Sequence, residues 1–248
     1  MKTLATDLDG TLYLDKVLID GVKASYKLLI TNKFHIYYTT NNSSQSITVI
    51  GSKLEKLLQT DIDFSSIITP LVVLEKYLEN KKNTIYVYGS EEVKQHISNF
   101  SNVSSNIDEC DLVILGRLDN PNRDILDKIA TAVKSGISCT TLNKDLTYPV
   151  SPTEFKPGNG QIAKYIESAT NKSLDSFGKE GNHYSEYFMK KDIKIDYVIG
   201  DRIDTDIIFG KNVNAKSILV KSSIENHLPS SLADEIFRDF NEFVSSII

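Results

Sequence analysis

The chain has 248 residues, of which 40% are hydrophobic and 25% charged, with 12 glycines and 6 prolines. That composition excludes a disordered tail and collagen-like or low-complexity sequence, and the length suits one large or two small domains at roughly 100–200 residues each. The 28 basic and 33 acidic side chains leave a formal net charge of −5, which argues against nucleic acid as the main partner, because binding a phosphate backbone draws on clustered Lys and Arg.

The only cysteines, Cys110 and Cys139, form no CxxC pair, so neither a zinc site nor a redox motif is indicated. No apolar run approaches the ~20 residues of a spanning helix. At the N-terminus Asp7 interrupts any signal-peptide core. The expectation is a soluble, cytoplasmic protein with no membrane partner; self-association is left open.

In chain order, residues 4–7 read as a short strand. Val22, Tyr26, Leu29 and Ile30 recur at helical spacing within 21–33, and the β-branched and aromatic stretch 35–40 reads as a second strand. A helix is expected over 44–58, capped by Ser43 or Ser44, with Ile47, Ile50, Leu54, Leu57 and Leu58 on one face. Strand, helix, strand, helix implies a parallel sheet with right-handed crossovers. Further strands are expected at 84–88, 112–115 and 139–142, and helices at 91–98, 122–134 and 160–169. Strands at 197–199 and 217–220 follow. A terminal helix over 234–247 carries Ile236, Phe237, Phe240, Phe243, Val244 and Ile247 as its stripe.

Polar clusters sit at the ends of these strands. Asp7-Leu8-Asp9-Gly10-Thr11 follows the first. Parallel α/β sheets place ligands at the carboxyl ends of their strands. Two carboxylates there suit a hard cation such as Mg²⁺, or a division between nucleophile and proton carrier. An ordinary acidic turn competes with that reading. A calcium loop does not, because its sixth and twelfth positions would be Leu12 and Leu18. Gly200-Asp201-Arg202-Ile203-Asp204-Thr205-Asp206 follows a late strand. If the two strands are neighbours, Asp7, Asp9 and Asp201 converge, with Asp204 or Asp206 orienting water around the cation; Asp204 could instead cap a helix. Thr40-Asn41-Asn42-Ser43-Ser44 closes the second strand and offers neutral donors and a helix N-terminus to a phosphate. Lys179 is the candidate cation for that site, with Lys156 as its rival.

Aspartates, Thr/Asn donors, a lysine and a second acidic group, each at a strand end, resemble the four motifs of the haloacid dehalogenase superfamily, in wording closest to its NagD-like branch of 4-nitrophenyl and pyridoxal phosphate phosphatases. The resemblance implies a Rossmannoid three-layer α/β core with a parallel sheet, formed by 1–69 and 178–248, and an inserted α/β cap over 70–177. It implies Mg²⁺-dependent hydrolysis of a small phosphomonoester, such as a sugar phosphate or nucleotide, through an aspartyl-phosphate. Asp7 would be the nucleophile and Asp9 the general acid and base. Asp7, the backbone carbonyl of Asp9 and Asp201 would hold Mg²⁺, with Asp206 behind them. Thr40, Asn41 and Lys179 would bind the phosphoryl oxygens, and loops near Asn143-Lys144-Asp145 and Arg117-Leu118-Asp119 would face substrate. The chemistry agrees, since phosphoryl transfer depends on charge neutralisation and in-line positioning.

Two departures affect substrate rather than chemistry. Glu180 stands where the family has a proline after the motif lysine, at a place where an acid would suit the first turn of a helix. Lys221-Ser222-Ser223 replaces a Thr-Gly-Val segment. The alternatives are a phosphotransferase using the same intermediate, and a receiver-like, phosphorylatable Mg²⁺-binding module.

Overall fold

The computed structural model describes residues 1–149, 154–222 and 228–248; Ser223 lies outside them. Two all-parallel sheets organise the molecule. The six-stranded sheet runs, in spatial order, Glu235–Phe237, Lys216–Val220, Tyr197–Gly200, Thr3–Thr6, His35–Thr39 and Ile67–Ile68. The five-stranded sheet runs Asp175–Ser176, Ser138–Thr141, Leu112–Leu115, Thr84–Tyr88 and Asn102–Val103. Strands covered on both faces read as near-continuous apolar runs, and Leu112–Leu115 is buried throughout. Among the described residues no helix is long and apolar enough to cross a membrane.

The first strand lies between Tyr197–Gly200 and His35–Thr39, with Thr6 opposite Ile199 on one side and Tyr38 on the other. The carboxyl ends of these three neighbours therefore open onto one place. The segments that leave them carry the acidic and Thr/Asn motifs.

Two expected helices are corrected. The helix expected from residue 44 is Ile47–Leu58, and its cap is Ser46, whose hydroxyl accepts from the Val49 amide. The preceding loop bonds to itself instead. Thr40 Oγ1 accepts from the Asn42 amide and Asn42 Oδ1 from the Ser44 amide, local bonds that compete with helix formation. The terminal helix expected over 234–247 is only Phe240–Ile247, capped by Asp239. Before it, Glu235–Phe237 adds a parallel edge strand, anchored where the Asp234 carboxylate accepts from the Ser217 amide and hydroxyl. The open edge of Ile218–Val220 supplies backbone partners that a helix could not use. Ile236 is consequently exposed, while Phe240, Phe243 and Val244 are buried. The short strands at 67–68, 102–103 and 175–176, the helix Pro70–Leu78 and the hairpin Thr147–Pro149/Phe155–Pro157 have no counterpart among the elements expected from sequence.

The two sheets share a core. One apolar cluster joins Ala5 and Val198 of the larger sheet to Ile85, Val87, Leu112 and Ile114 of the smaller, with Leu74, Phe177, Tyr184, Phe188 and Phe209 among its members. Phe188 is fully buried, with ring contacts to Tyr37, Tyr184, Tyr187 and Phe209 at 5.3–6.0 Å. Phe188→Ala is expected to destabilise the protein by about 3–5 kcal/mol, from lost transfer energy and a residual cavity. Urea unfolding measures this, and a loss below about 1 kcal/mol would contradict a tightly packed junction.

Candidate active site

Asp7 leaves the strand Thr3–Thr6 with its amide bonded to the Ile199 carbonyl at 2.8 Å. Its carboxylate is buried. Oδ1 accepts from Lys179 Nζ at 2.6 Å and Oδ2 from the Thr11 hydroxyl at 3.1 Å. Lys179 follows the short strand Asp175–Ser176 and is itself 2% exposed. Its ammonium also donates to Asp206 Oδ1. Asp206 belongs to the π-helical turn 203–207 beyond Tyr197–Gly200, and its Oδ2 accepts from the Arg202 amide at 3.1 Å. Asp201 is buried at the end of the same strand. Gly10 makes its approach to Asp201 possible: its φ is +95°, and a Cβ there would lie 2.2 Å from an Asp201 carboxylate oxygen.

Asp7, Asp201 and Asp206 each offer an oxygen within 4.8 Å of the others. At about 4 Å and an effective dielectric near 20, each such pair of like charges repels by about 4 kcal/mol. Lys179 supplies one positive charge against three negative ones. Burial, reinforced by Asp7 and Asp206, holds the Asp201 carboxyl well above the usual carboxylate range. Burial alone would lower Lys179, but the charges of Asp206 and Asp7 outweigh it and keep its pKa well above the ordinary value. Three buried carboxylates held close together are an all-oxygen donor set, which suits a hard divalent cation.

The Asp9 carboxylate is not among these three. It is half-exposed, accepts from the Tyr13 hydroxyl at 3.3 Å and lies 3.9 Å from Lys53. Burial pushes its pKa up, against the pull of Lys53 and the Tyr13 hydrogen bond. Lys53 in turn sits over the Tyr13 ring at 3.6 Å. Asp9 is thus a separate carboxyl facing the same cavity.

That cavity, of about 330 Å³, is lined by Asp7, Asp9, Thr40, Asn41, Lys179 and Asp201, and also by Lys53, Arg117, Asp145, Tyr148 and Arg202. Thr40 is buried. Asn41 is committed: its side-chain N–H groups donate to Asp145 Oδ1 at 3.1 Å and Glu180 Oε2 at 3.0 Å, and its Oδ1 accepts from the Lys179 amide at 2.8 Å. Its backbone carbonyl accepts from the Asn143 side chain at 2.9 Å. The loop 143–145 is therefore tied directly to the Thr/Asn loop, and Arg202 reaches within 3.7 Å of Asp145. Arg117 stacks over Tyr148 at 4.1 Å on the cavity wall.

The remaining candidates separate. Lys156 is exposed on the hairpin and is not among the cavity residues. Asp204 caps no helix; it is an exposed partner of the Arg202 guanidinium at 2.8 Å. Glu180 precedes, rather than enters, the helix Asn182–Lys190. Sequence reasoning missed Lys53, Tyr148, the role of Arg202 and the use made of Glu180. Only Arg202 and Glu180 carried a signal, as a member of one motif and a departure from another.

The chain is similar to known proteins along most of its length. The family described as haloacid dehalogenase-like hydrolase matches residues 4–101, and a related HAD-hydrolase-like family matches 186–242. The acid sugar phosphatase of Staphylococcus haemolyticus is 25% identical over 97% of this chain and 94% of its own. Among solved structures, the p-nitrophenyl phosphatase from Archaeoglobus fulgidus superposes with a TM-score of 0.86 at 19% identity, over 99% of both chains. A glycerol phosphate phosphatase from Mycobacterium tuberculosis, in complex with magnesium, gives 0.80 at 21% identity, over 96% of this chain and 75% of its own. The chain belongs to the haloacid dehalogenase superfamily of hydrolases. Within it, the protein is an enzyme of the phosphatase type.

Asp145 offers a pH test of the loop contacts. Burial, opposed by Arg202 and reinforced by Glu180, pushes its carboxyl up to about 6. A carboxyl raised above its unfolded value near 3.8 contributes stability that is intact below about pH 4 and lost as pH rises through about 6. Asparagine cannot ionise. The stability of Asp145→Asn relative to wild type is therefore expected to improve between about pH 4 and 6 and stay level above. Melting temperatures across that range check it; a gap that is constant, or that moves the other way, contradicts the assignment.

Proposed function

We propose that the protein hydrolyses small phosphomonoesters in a Mg²⁺-dependent reaction with Asp7 as nucleophile. The observation that carries the reading is the buried group of Asp7, Asp201 and Asp206 around Lys179, with Asp9 as a separate carboxyl in the same cavity. Asp7, Asp201 and the backbone carbonyl of Asp9 would hold the cation, and Asp206 would stand behind it, both its oxygens being engaged by Lys179 and the Arg202 amide. A divalent cation bound there offsets the carboxylate charge and the charge of the phosphoryl oxygens.

Lys179 brings a positive charge to the Asp7 carboxylate and to the arriving phosphoryl group. Thr40 contributes its hydroxyl. Both side-chain N–H groups of Asn41 are engaged, so its contribution to the phosphate is assigned to its main-chain N–H. An Asp7 oxygen attacks phosphorus as the bond to the leaving oxygen breaks, and the Asp9 carboxylic acid gives that oxygen its proton. Water then attacks the phosphorus, giving its proton to Asp9 while the bond from phosphorus to the Asp7 oxygen breaks, which frees the Asp7 carboxylate and inorganic phosphate. The raised pKa of Asp9 suits the acid in the first step.

The stretch 70–177 acts as the cap. It supplies Arg117, Asn143, Asp145 and Tyr148 to the cavity. Polar walls of this kind suit a hydroxyl-rich substrate, and the acid sugar phosphatase relative, matching nearly the whole chain, supports a sugar phosphate. The matched families are hydrolases, which does not favour a receiver-like module.

Hydrolysis of 4-nitrophenyl phosphate tests the reading. Activity should be lost on chelation and restored by Mg²⁺, and Asp7→Asn should lower kcat by at least about a thousandfold. Asp9→Asn should slow leaving-group protonation and dephosphorylation, by about 100- to 10,000-fold. Wild-type activity in Asp7→Asn would sink the nucleophile assignment.

A further inference from the structure

Glu180 makes contacts that its place in the turn before a helix does not require. Oε1 accepts from the Lys144 amide at 2.7 Å and from the Ser176 hydroxyl at 2.5 Å, and Oε2 accepts from the Asn41 side chain at 3.0 Å. The donors come from three separate places: the end of the strand Asp175–Ser176, the loop 143–145 and the loop after His35–Thr39. The backbone is shaped around this carboxylate, since a Cβ on Gly178 would lie 2.5 Å from Glu180 Oε2 and 2.9 Å from Asn143 Cβ.

We propose that Glu180 is a positioning residue that holds the Asn41 amide in one orientation, and through it the backbone of the phosphate-facing Lys179. The proposal rests on the phosphatase reading above. Asn41 presents its NH₂ to two carboxylates, those of Glu180 and Asp145, and its Oδ1 to the Lys179 N–H. An amide turned over would set its NH₂ against the Lys179 N–H and its oxygen against the two carboxylates. The acceptors facing the NH₂ therefore decide which way Oδ1 points. A carboxylate only accepts, and the Lys144 amide, the Ser176 hydroxyl and the Asn41 NH₂ all donate to Glu180. Lys179 Nζ bonds to both Asp7 and Asp206, so displacement of its backbone reaches the nucleophile directly.

Glutamine is accordingly not conservative at this position. It has the same shape, but its own NH₂ must face one of the three donors. Glu180→Gln is expected to melt within about 3 °C of wild type while kcat for 4-nitrophenyl phosphate falls about 10- to 100-fold, with KM changed less than about threefold, as for a small misplacement of reacting groups. Glu180→Asp, an acceptor-only carboxylate one carbon shorter, should lose less, and it carries the same test if the glutamine variant does not fold. Because Glu180 acts through Asn41, the pair Glu180→Gln/Asn41→Ala should be no slower than Asn41→Ala alone. Hydrogen exchange at the Lys179 backbone amide should quicken at least about tenfold in Glu180→Gln.

A kcat within about twofold of wild type, a loss carried wholly by KM, losses that multiply in the double variant, or unchanged exchange at Lys179 would each overturn the proposal. An inactive wild type, or an active Asp7→Asn, would instead overturn the phosphatase reading, while the exchange measurement still decides whether Glu180 sets the Lys179 backbone.

Discussion

Three carboxylates crowded around one buried ammonium are the constraint to which the rest of the structure answers. Asp7, Asp201 and Asp206 repel one another, and Lys179 offsets only one of their charges. The fold must hold that arrangement in place. Neighbouring parallel strands end side by side at Asp7 and Asp201, the positive φ of Gly10 leaves room for the Asp201 carboxylate, and the π-helical turn 203–207 brings Asp206 back onto Lys179. Buried charge left partly uncompensated is costly, and such strain is retained where a site uses it. On the proposed function, a divalent cation would offset that charge and a phosphate would use it.

The second constraint is the junction between the two sheets. Polar contacts converge on Asn41: from Asn143, Asp145, Glu180 and Lys179. An apolar cluster runs from Ala5 to Ile114 beneath them. The loop 143–145 is bound to the Thr/Asn loop by hydrogen bonds, so the cavity wall and that loop are set together. On the proposed function, substrate selection then depends on the outer wall, where Arg117 and Tyr148 stack on each other.

Much of this was legible in the chain. The strands beside the cavity, 3–6, 35–39 and 197–200, are short runs followed at once by acidic or Thr/Asn groups, and that pairing is visible in the sequence. The fold class followed from their alternation with helical patterns. What was not legible depends on distant partners. Glu235–Phe237 has an apolar pattern that continues the helix after it, and only the open edge of Lys216–Val220 makes it a strand. The helix cap is Ser46 rather than Ser43 or Ser44, because the loop before it bonds to itself and such a loop has no periodic signature. Asn41 meets Asp145 across 104 positions and Glu180 across 139, separations that local spacing does not encode. Glu180 was visible as an odd residue, but its partners were not.

Calorimetric titration of Mg²⁺ into the metal-free protein tests the central claim most directly, because it reads the carboxylate cluster without any substrate. The expected result is one Mg²⁺ bound per chain in the wild type and a loss of affinity of at least about tenfold in Asp201→Asn, since even the partners behind a metal ligand are worth about 10- to 100-fold. A wild type that binds no divalent cation, or an Asp201→Asn variant that binds Mg²⁺ as the wild type does, would contradict it.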